Sequence, residues 1–151
     1  MNMKVFNRRF SRDYQEMERL EAGISLTGAE VKSAGSGRIK LEDAYVKFLG
    51  SEAYLVNAQI PIYRFARPAG YDDRRTRKLL LHRQEIIWLK TKVQSAAGLT
   101  VVPISCYNKH GLLKLEIALA KSRKARGKKK LEKKRDIQRQ QEREMKEYLR
   151  K

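Results

Sequence analysis

Catalysis by this chain would have to be built from two histidines, one cysteine and two adjacent acidic pairs, and their spacing does not build it. His82 stands at the start of a helical pattern and His110 in the turn composition Asn108-Lys-His-Gly111, both places where a lone imidazole is a solvated residue rather than a general base. Cys106 lies inside the apolar run LTVVPISCY. A metal-dependent nuclease needs converging carboxylates, and the candidates are Glu42 with Asp43 and Asp72 with Asp73. Neighbours along a strand point to opposite faces, so Glu42 and Asp43 do not share a cation. The HExxH, CxxC, GxSxG and P-loop patterns are all missing. The residues therefore predict a protein that is not an enzyme and that needs no metal or cofactor.

The chemistry that is present is that of cations meeting a polyanion. Lys and Arg number 35 against 17 Asp and Glu, a net charge of +18. Residues 120–151 hold fifteen basic and five acidic side chains with one Gly and no Pro, and the rest of the chain remains basic. A run so poor in large apolar residues cannot form a core and is built to touch phosphates. Arg74, Arg75, Arg77 and Lys78 form a second basic cluster. Tyr45, Tyr54, Tyr63, Tyr71 and Tyr107 are interleaved with basic residues, where they serve as stacking faces for unpaired bases or as rim and core of a sheet. Physics alone thus predicts an RNA or single-strand binding module, with a general RNA-binding or ribosomal structural protein as the broader alternative. No apolar run approaches the ~20 residues of a membrane span, and MNMKVFNRRFSRDY does not resemble a secretion signal. With a single cysteine, the expected location is the cytoplasm.

Positioning these groups requires a scaffold, and the pattern supplies one. Residues 1–13 read as a basic, irregular arm. Leu20, Ala22, Ile24 and Leu26 alternate as in a half-buried strand. Thr27-Gly-Ala-Glu30 has the form of a capping box, with Gly35 as the stop of a short helix. Two strands, 44–49 and 53–60, flank the turn Gly50-Ser-Glu52. Residues 63–76 read as a long loop, and the run from Arg74 to Gly98 as one long helix. Strands 99–107 and 112–119 follow. Five or six short antiparallel strands with one long and one short helix predict a small barrel of the oligonucleotide-binding type, because closure removes exposed edges. The domain is expected to span 1–121, with 122–151 a basic tail, disordered alone and helical when laid along phosphates.

Several segments also stand together in a recognisable order: N7-R-R near D13-Y, L20-E-A-G-I, L26-T-G-A-E-V-K-S33, E42-D-A-Y45, R75-T-R-K-L-L-L-H-R-Q-E-I86, G98-L-T-V-V-P103 and K114-L-E-I117. From about Asn7 to Lys121 the chain closely resembles the SsrA-binding protein (SmpB) family, the protein partner of tmRNA in bacterial ribosome rescue. The resemblance implies a barrel that grips the tRNA-like domain of tmRNA near its elbow, with Asn7, Glu21, Leu80 and Lys114 matching positions tied to that binding. Lys32, Ser33, Arg75 and Arg77 join them on physical grounds as phosphate and turn contacts. It further implies a tail that enters the vacant mRNA channel and decoding centre of a stalled ribosome, with Arg126, Lys128, Lys129, Lys133, Lys134 and Arg135 as its contacts. Delivery would be by elongation factor Tu, through tmRNA, with the protein acting as a monomer.

Three departures from the family pattern stand out. Leu-Arg-x-Gly after E-V-K-S is here Ala34-Gly-Ser-Gly37, which removes an arginine that Arg38 would have to replace. The Asp-Pro before Arg75 is here Asp72-Asp73, which removes a rigid turn. The family's tail carries an aromatic or His before Asp-Lys-Arg. Arg126-Gly-Lys-Lys129 aligns there without gaps, and a shifted register would place Leu131-Glu-Lys-Lys134 instead. Either way the ring is absent, and only Arg126 could stack, through its guanidinium plane.

Overall fold

In the computed structural model, which describes residues 3–63, 70–123 and 127–150, seven strands and four helices alternate along the chain. They are β1 (Lys4–Phe6), α1 (Phe10–Asp13), β2 (Tyr14–Ile24), α2 (Gly28–Gly35), β3 (Tyr45–Leu49), β4 (Glu52–Val56), β5 (Arg77–Leu80), α3 (Arg83–Ser95), β6 (Leu99–Lys109), β7 (Leu112–Ser122) and α4 (Gly127–Arg150). The strands pair in the order β6, β3, β4, β5, β2, β7, and β7 pairs back to β6. The result is a closed antiparallel ring of six. β1 extends it along the edge of β6 that β3 leaves free, since β3 meets the start of β6 at Val101 and β1 meets its end, from Ser105 to Tyr107. Closure satisfies the ladder hydrogen bonds internally and leaves little edge to pair with another chain.

The small antiparallel barrel expected from the pattern is the one that forms, and its core follows the period-two alternation. On β7, Leu115, Ile117 and Leu119 point inward and join Leu41, Leu55, Ile60 and Leu79, all buried. Ile86 and Leu89 of α3 and Ala34 of α2 belong to the same cluster. The run LTVVPISCY lacks alternation because both of its faces are covered. Val101 and Cys106 face the interior, while Val102 and Ile104 lie under Phe10 of α1 in a second, exterior cluster. The turn between β6 and β7 places His110 (φ 52°) and Gly111 (φ 79°) in left-handed conformations. Two such residues make the tight turn whose twist matches a hairpin.

Three segments differ from the sequence expectation. The N-terminal arm is not irregular, because Lys4–Phe6 adds a strand to β6 and Phe10 pins a helical turn to the barrel. The long helix does not begin near Arg74. Residues 77–80 alternate buried and exposed and pair with both β2 and β4, so the apolar Leu79 is a strand residue. The helix starts only at Arg83, after His82, whose backbone N–H donates to Glu85 at 2.9 Å. The third difference is the tail. It was expected to lack structure on its own, yet 127–150 is helical here, with its last turns packed on the outer face of β3 and β4 through Met145. Good helix formers set the conformation, and Met145 packs on this face together with the edge-on Tyr148–Tyr54 ring pair and the Lys47–Glu142 ion pair. Among the described residues, no helix is long and apolar enough to cross a membrane.

Candidate nucleic-acid interface

Because Ala22 points into the barrel, Glu21 and Gly23 on either side of it point out. The registers then define a row across the exterior. Leu80 lies opposite Gly23, Gly23 opposite Lys114, Lys114 opposite Tyr107 and Tyr107 opposite Lys4. One step along, Glu21 is opposite Glu116. Leu80 is 55% exposed although it is a large aliphatic side chain, and a Cβ built on Gly23 would come within 3.1 Å of its Cβ. Gly23 therefore keeps the surface shallow beside Leu80, as close approach of a backbone or a base would require.

Glu21 is held in place rather than free. The Tyr107 hydroxyl donates to its Oε2 at 2.5 Å, and Lys109 Nζ lies 3.3 Å from both carboxylate oxygens. The Tyr107 hydrogen bond keeps the Glu21 carboxyl below its ordinary range against the desolvation that opposes it, with Lys109 and Lys114 adding lesser effects. Burial, together with the hydrogen bond to Glu21, pushes the Tyr107 phenol well above its ordinary range. At the far end, Lys4 Nζ stands 5.1 Å from the Phe6 ring centroid and 5.6 Å from that of Tyr107. The row thus combines an apolar end, a fixed carboxylate, three lysines and two rings. Such a surface can neutralise phosphates, accept a hydrogen bond from a base or ribose, and stack.

Of the residues singled out in the sequence, the structure brings Glu21, Leu80 and Lys114 together and places the others elsewhere. Asn7 is 7% exposed. Its Nδ2 donates to Pro103 O at 3.0 Å, its Oδ1 accepts from the Arg9 N–H at 3.1 Å, and its own N–H donates to Ile104 O. It bolts the N-terminal arm, which carries Lys4 and Phe6, to β6. Lys32 is exposed on α2. Ser33 is buried and donates through Oγ to Pro61 O at 2.7 Å, a contact that fixes the end of α2 against the chain leaving β4.

Arg77 requires a correction, and Arg75 shares its partner. Both reach Glu30, the capping-box residue of α2, whose Oε1 also accepts from the Thr27 N–H at 3.0 Å. Arg75 Nη2 is 2.6 Å from Glu30 Oε1, and Arg77 Nη2 is 2.7 Å from Oε2. The Arg77 side chain is wholly buried, donating also to Ala58 O at 2.8 Å and Asp73 O at 3.1 Å. It is a spoke of the fold with no path to a phosphate. Arg74 turns to Asn57 and Lys78 to Glu52, so the apparent basic cluster is four cations each with a protein partner. Sequence reasoning missed this because a capping-box glutamate was credited with one task. Its second oxygen, and the acceptors Ala58 and Asp73, are brought to the arginines only by tertiary folding. The same reasoning missed Lys4 and Lys109, and offered Tyr107 only as one of five tyrosines able to stack. Their signal is the β6–β7 register, which carries Tyr107 to Lys114.

Among the tail positions, Arg126 lies outside the described residues. Lys128, Lys129, Lys133, Lys134 and Arg135 lie on the backbone of α4, and their side chains are outside the described set. No group of three or more metal-binding side chains occurs among the described residues.

A model of the SmpB protein family matches residues 4–147. An SsrA-binding protein of Nostoc sp. is 46% identical over 136 residues, covering 89% of this chain and 87% of the relative. One from Sulfurihydrogenibium sp. is 44% identical over 140 residues, covering 93% and 91%. A chain of a solved structure described as "tmRNA-SmpB: a journey to the center of the bacterial ribosome" superposes with a TM-score of 0.68 at 41% identity, covering 83% of this chain and 87% of that one.

Proposed function

The chain belongs to the SmpB family, and from that premise we propose that it binds the tRNA-like domain of tmRNA on the outer row of its barrel and delivers it to stalled ribosomes for trans-translation. The observation that supports the site is the cross-strand alignment of Leu80, Gly23, Lys114, Tyr107 and Lys4 beside a Glu21 fixed by Tyr107 and Lys109. Lysines at positions set by strand register neutralise phosphates, which supplies most of the affinity for any RNA. The fixed carboxylate and the shallow strip beside Leu80 select, because a carboxylate repels a phosphate unless a base or sugar donor meets it.

Nothing in this mechanism is catalysis by the protein. The tmRNA, charged with alanine and carried by elongation factor Tu, enters the ribosomal A site together with one copy of the protein in the cytoplasm. The basic tail occupies the mRNA channel and decoding centre only when mRNA is missing, so the readout is steric and electrostatic. The ribosome transfers the peptide, and tmRNA then templates the tag.

The test is competition binding of the full chain to tmRNA, a tRNA and an unrelated hairpin of similar charge at two salt concentrations, repeated with the double variant Glu21→Ala, Lys114→Ala. A preference for tmRNA that persists at the higher salt and is lost in the double variant is expected. Equal, steeply salt-dependent binding to all three RNAs would leave a general RNA-binding protein, and an unaltered preference in the double variant would refute the site.

A further inference from the structure

Glu21 stands on the outer face of β2 among charges of both signs. Lys109 approaches from β6 and Lys114 from β7, Glu116 lies directly across on β7, and Arg19 stands two residues back on the same strand. Left to Coulomb attraction alone, a flexible glutamate in such company collapses onto a lysine. Here it does not. Lys109 Nζ stays 3.3 Å from both carboxylate oxygens, and the short contact, 2.5 Å, is the one to the neutral Tyr107 hydroxyl. Lys114 acts on Glu21 only through its charge, without a salt bridge among the described residues. Arg19 is no competitor, since its Nε and Nη2 hold Glu16 and its Nη1 reaches Glu116 at 2.7 Å. The same clamp neutralises Glu116, the like charge that would otherwise repel Glu21 across the strands.

Strand register aims the hydroxyl. Tyr107 leaves β6 opposite Lys114, and β7 lies between it and Glu21, so the ring spans β7 to bring its oxygen to β2. From β1, on the other edge of β6, Lys4 Nζ stands 5.6 Å from the same ring centroid. The phenol titrates well above its ordinary range, through burial and the bond to Glu21, and so remains a donor through neutral pH. A neutral donor has a consequence that a lysine would not. A carboxylate fixed by an ammonium is half of an ion pair, whereas one fixed by a hydroxyl keeps its charge and the spare lone pairs of both oxygens.

We infer that Tyr107 is the positioning residue of this surface: its hydroxyl pins Glu21 as an acceptor for an N–H or O–H donor of the RNA and keeps Lys109 and Lys114 free for phosphates. The inference rests on the proposed reading of the row as the tmRNA site. A tyrosine expected to stack through its ring thus works through its oxygen. Without that oxygen Glu21 moves onto a lysine, and one acceptor for the RNA and one cation for a phosphate are lost together. Selectivity and salt dependence then fall in step.

The test is Tyr107→Phe in the full chain, alone and combined with Glu21→Ala, in competition binding to tmRNA, a tRNA and an unrelated hairpin across a salt series. Phenylalanine keeps the ring and removes only the donor. Preference for tmRNA is expected to fall at least ten-fold, and the slope of log K against log salt to flatten by one phosphate contact, ~0.7–0.9. In the Glu21→Ala background the same substitution should change the preference by less than about two-fold, because a residue acting through another does not add to its loss. Carboxyl-carbon NMR of Glu21, assigned by its absence in Glu21→Gln, reads the positioning without RNA. Its titration midpoint should lie below 4.5 in the wild type and rise in Tyr107→Phe, since the largest lowering influence is gone. An equal loss of affinity for all three RNAs with an unchanged slope, additive effects in the double variant, or an unmoved midpoint overturns the inference. A wild-type chain with no preference for tmRNA refutes the proposed function instead, and the midpoint still reports whether Tyr107 sets Glu21, so the two failures are distinguishable.

Discussion

Replacing Glu30 by Gln should unfold this protein far more easily than any loss of a surface ion pair, and the deficit should depend on pH in a set direction. The Glu30 side chain is wholly buried and shares its two oxygens among Thr27, Arg75 and Arg77. Burial alone would raise its pKa, but the Arg75 hydrogen bond, the Thr27 N–H and the Arg77 charge outweigh it and bring the carboxyl from 4.5 down to about 2. At roughly 1.4 kcal/mol per pH unit, that displacement corresponds to ~3 kcal/mol of folding stability. Removing one partner of a buried pair costs about 3–5 kcal/mol by an independent route, since Arg77 would be left charged and unaccompanied in the interior. A carboxyl whose folded pKa is depressed stabilises above its unfolded pKa and loses that contribution as pH falls toward the folded one. The gap between wild type and Glu30→Gln should thus be ~3 kcal/mol at pH 7 and narrow by about 2 kcal/mol at pH 3. Urea unfolding followed by the fluorescence of the single tryptophan, Trp88, reads both values. A gap below about 1 kcal/mol at pH 7, or one that does not narrow by pH 3, would refute the claim that Arg77 is an internal spoke.

Two further outcomes are expected. Burial pushes the Cys106 thiol from 9.0 up to about 12, so Ellman's reagent at pH 8 should leave the native protein unmodified and titrate one thiol per chain in urea; fast reaction of the native protein would show that the β1–β6 region opens. Asn7→Ala should cost about 1–3 kcal/mol by stranding Pro103 O without its donor, and residues 4–13 should then exchange amide hydrogens ahead of the rest of the barrel; a stable variant with unchanged exchange would mean that Asn7 is not the bolt of the arm.

Where local chemistry decides the structure, the sequence was readable. Thr27 and Glu30 announced α2, and the alternation on β7 announced which of its side chains enter the core. Residues 77–80 were misread because RKLLL gives no period of its own. Pairing with β2 and β4 makes them a strand, and neither partner is near in sequence. The interface was half legible for the same reason. Glu21, Leu80 and Lys114 came from family likeness, while Tyr107, Lys109 and Lys4 join them only through strand register. Arg77 looked like a phosphate contact because charge is visible in a sequence and burial is not.

The closed ring also separates two of its outer surfaces. In a cycle of six strands running β6, β3, β4, β5, β2, β7, the strand opposite β3 is β2, and the strand opposite β4 is β7. Glu21 and Gly23 on β2 and Lys114 on β7 therefore look out from one side of the barrel, while the face that holds Met145 looks out from the other. A tail parked on β3 and β4 does not cover the row proposed to hold RNA, so an RNA of tRNA size can be taken up with the tail still docked. Steric competition would couple the two surfaces if both lay on one side of the ring; placed back to back, occupancy of the row leaves the β3–β4 face open, and packing on that face leaves the row open.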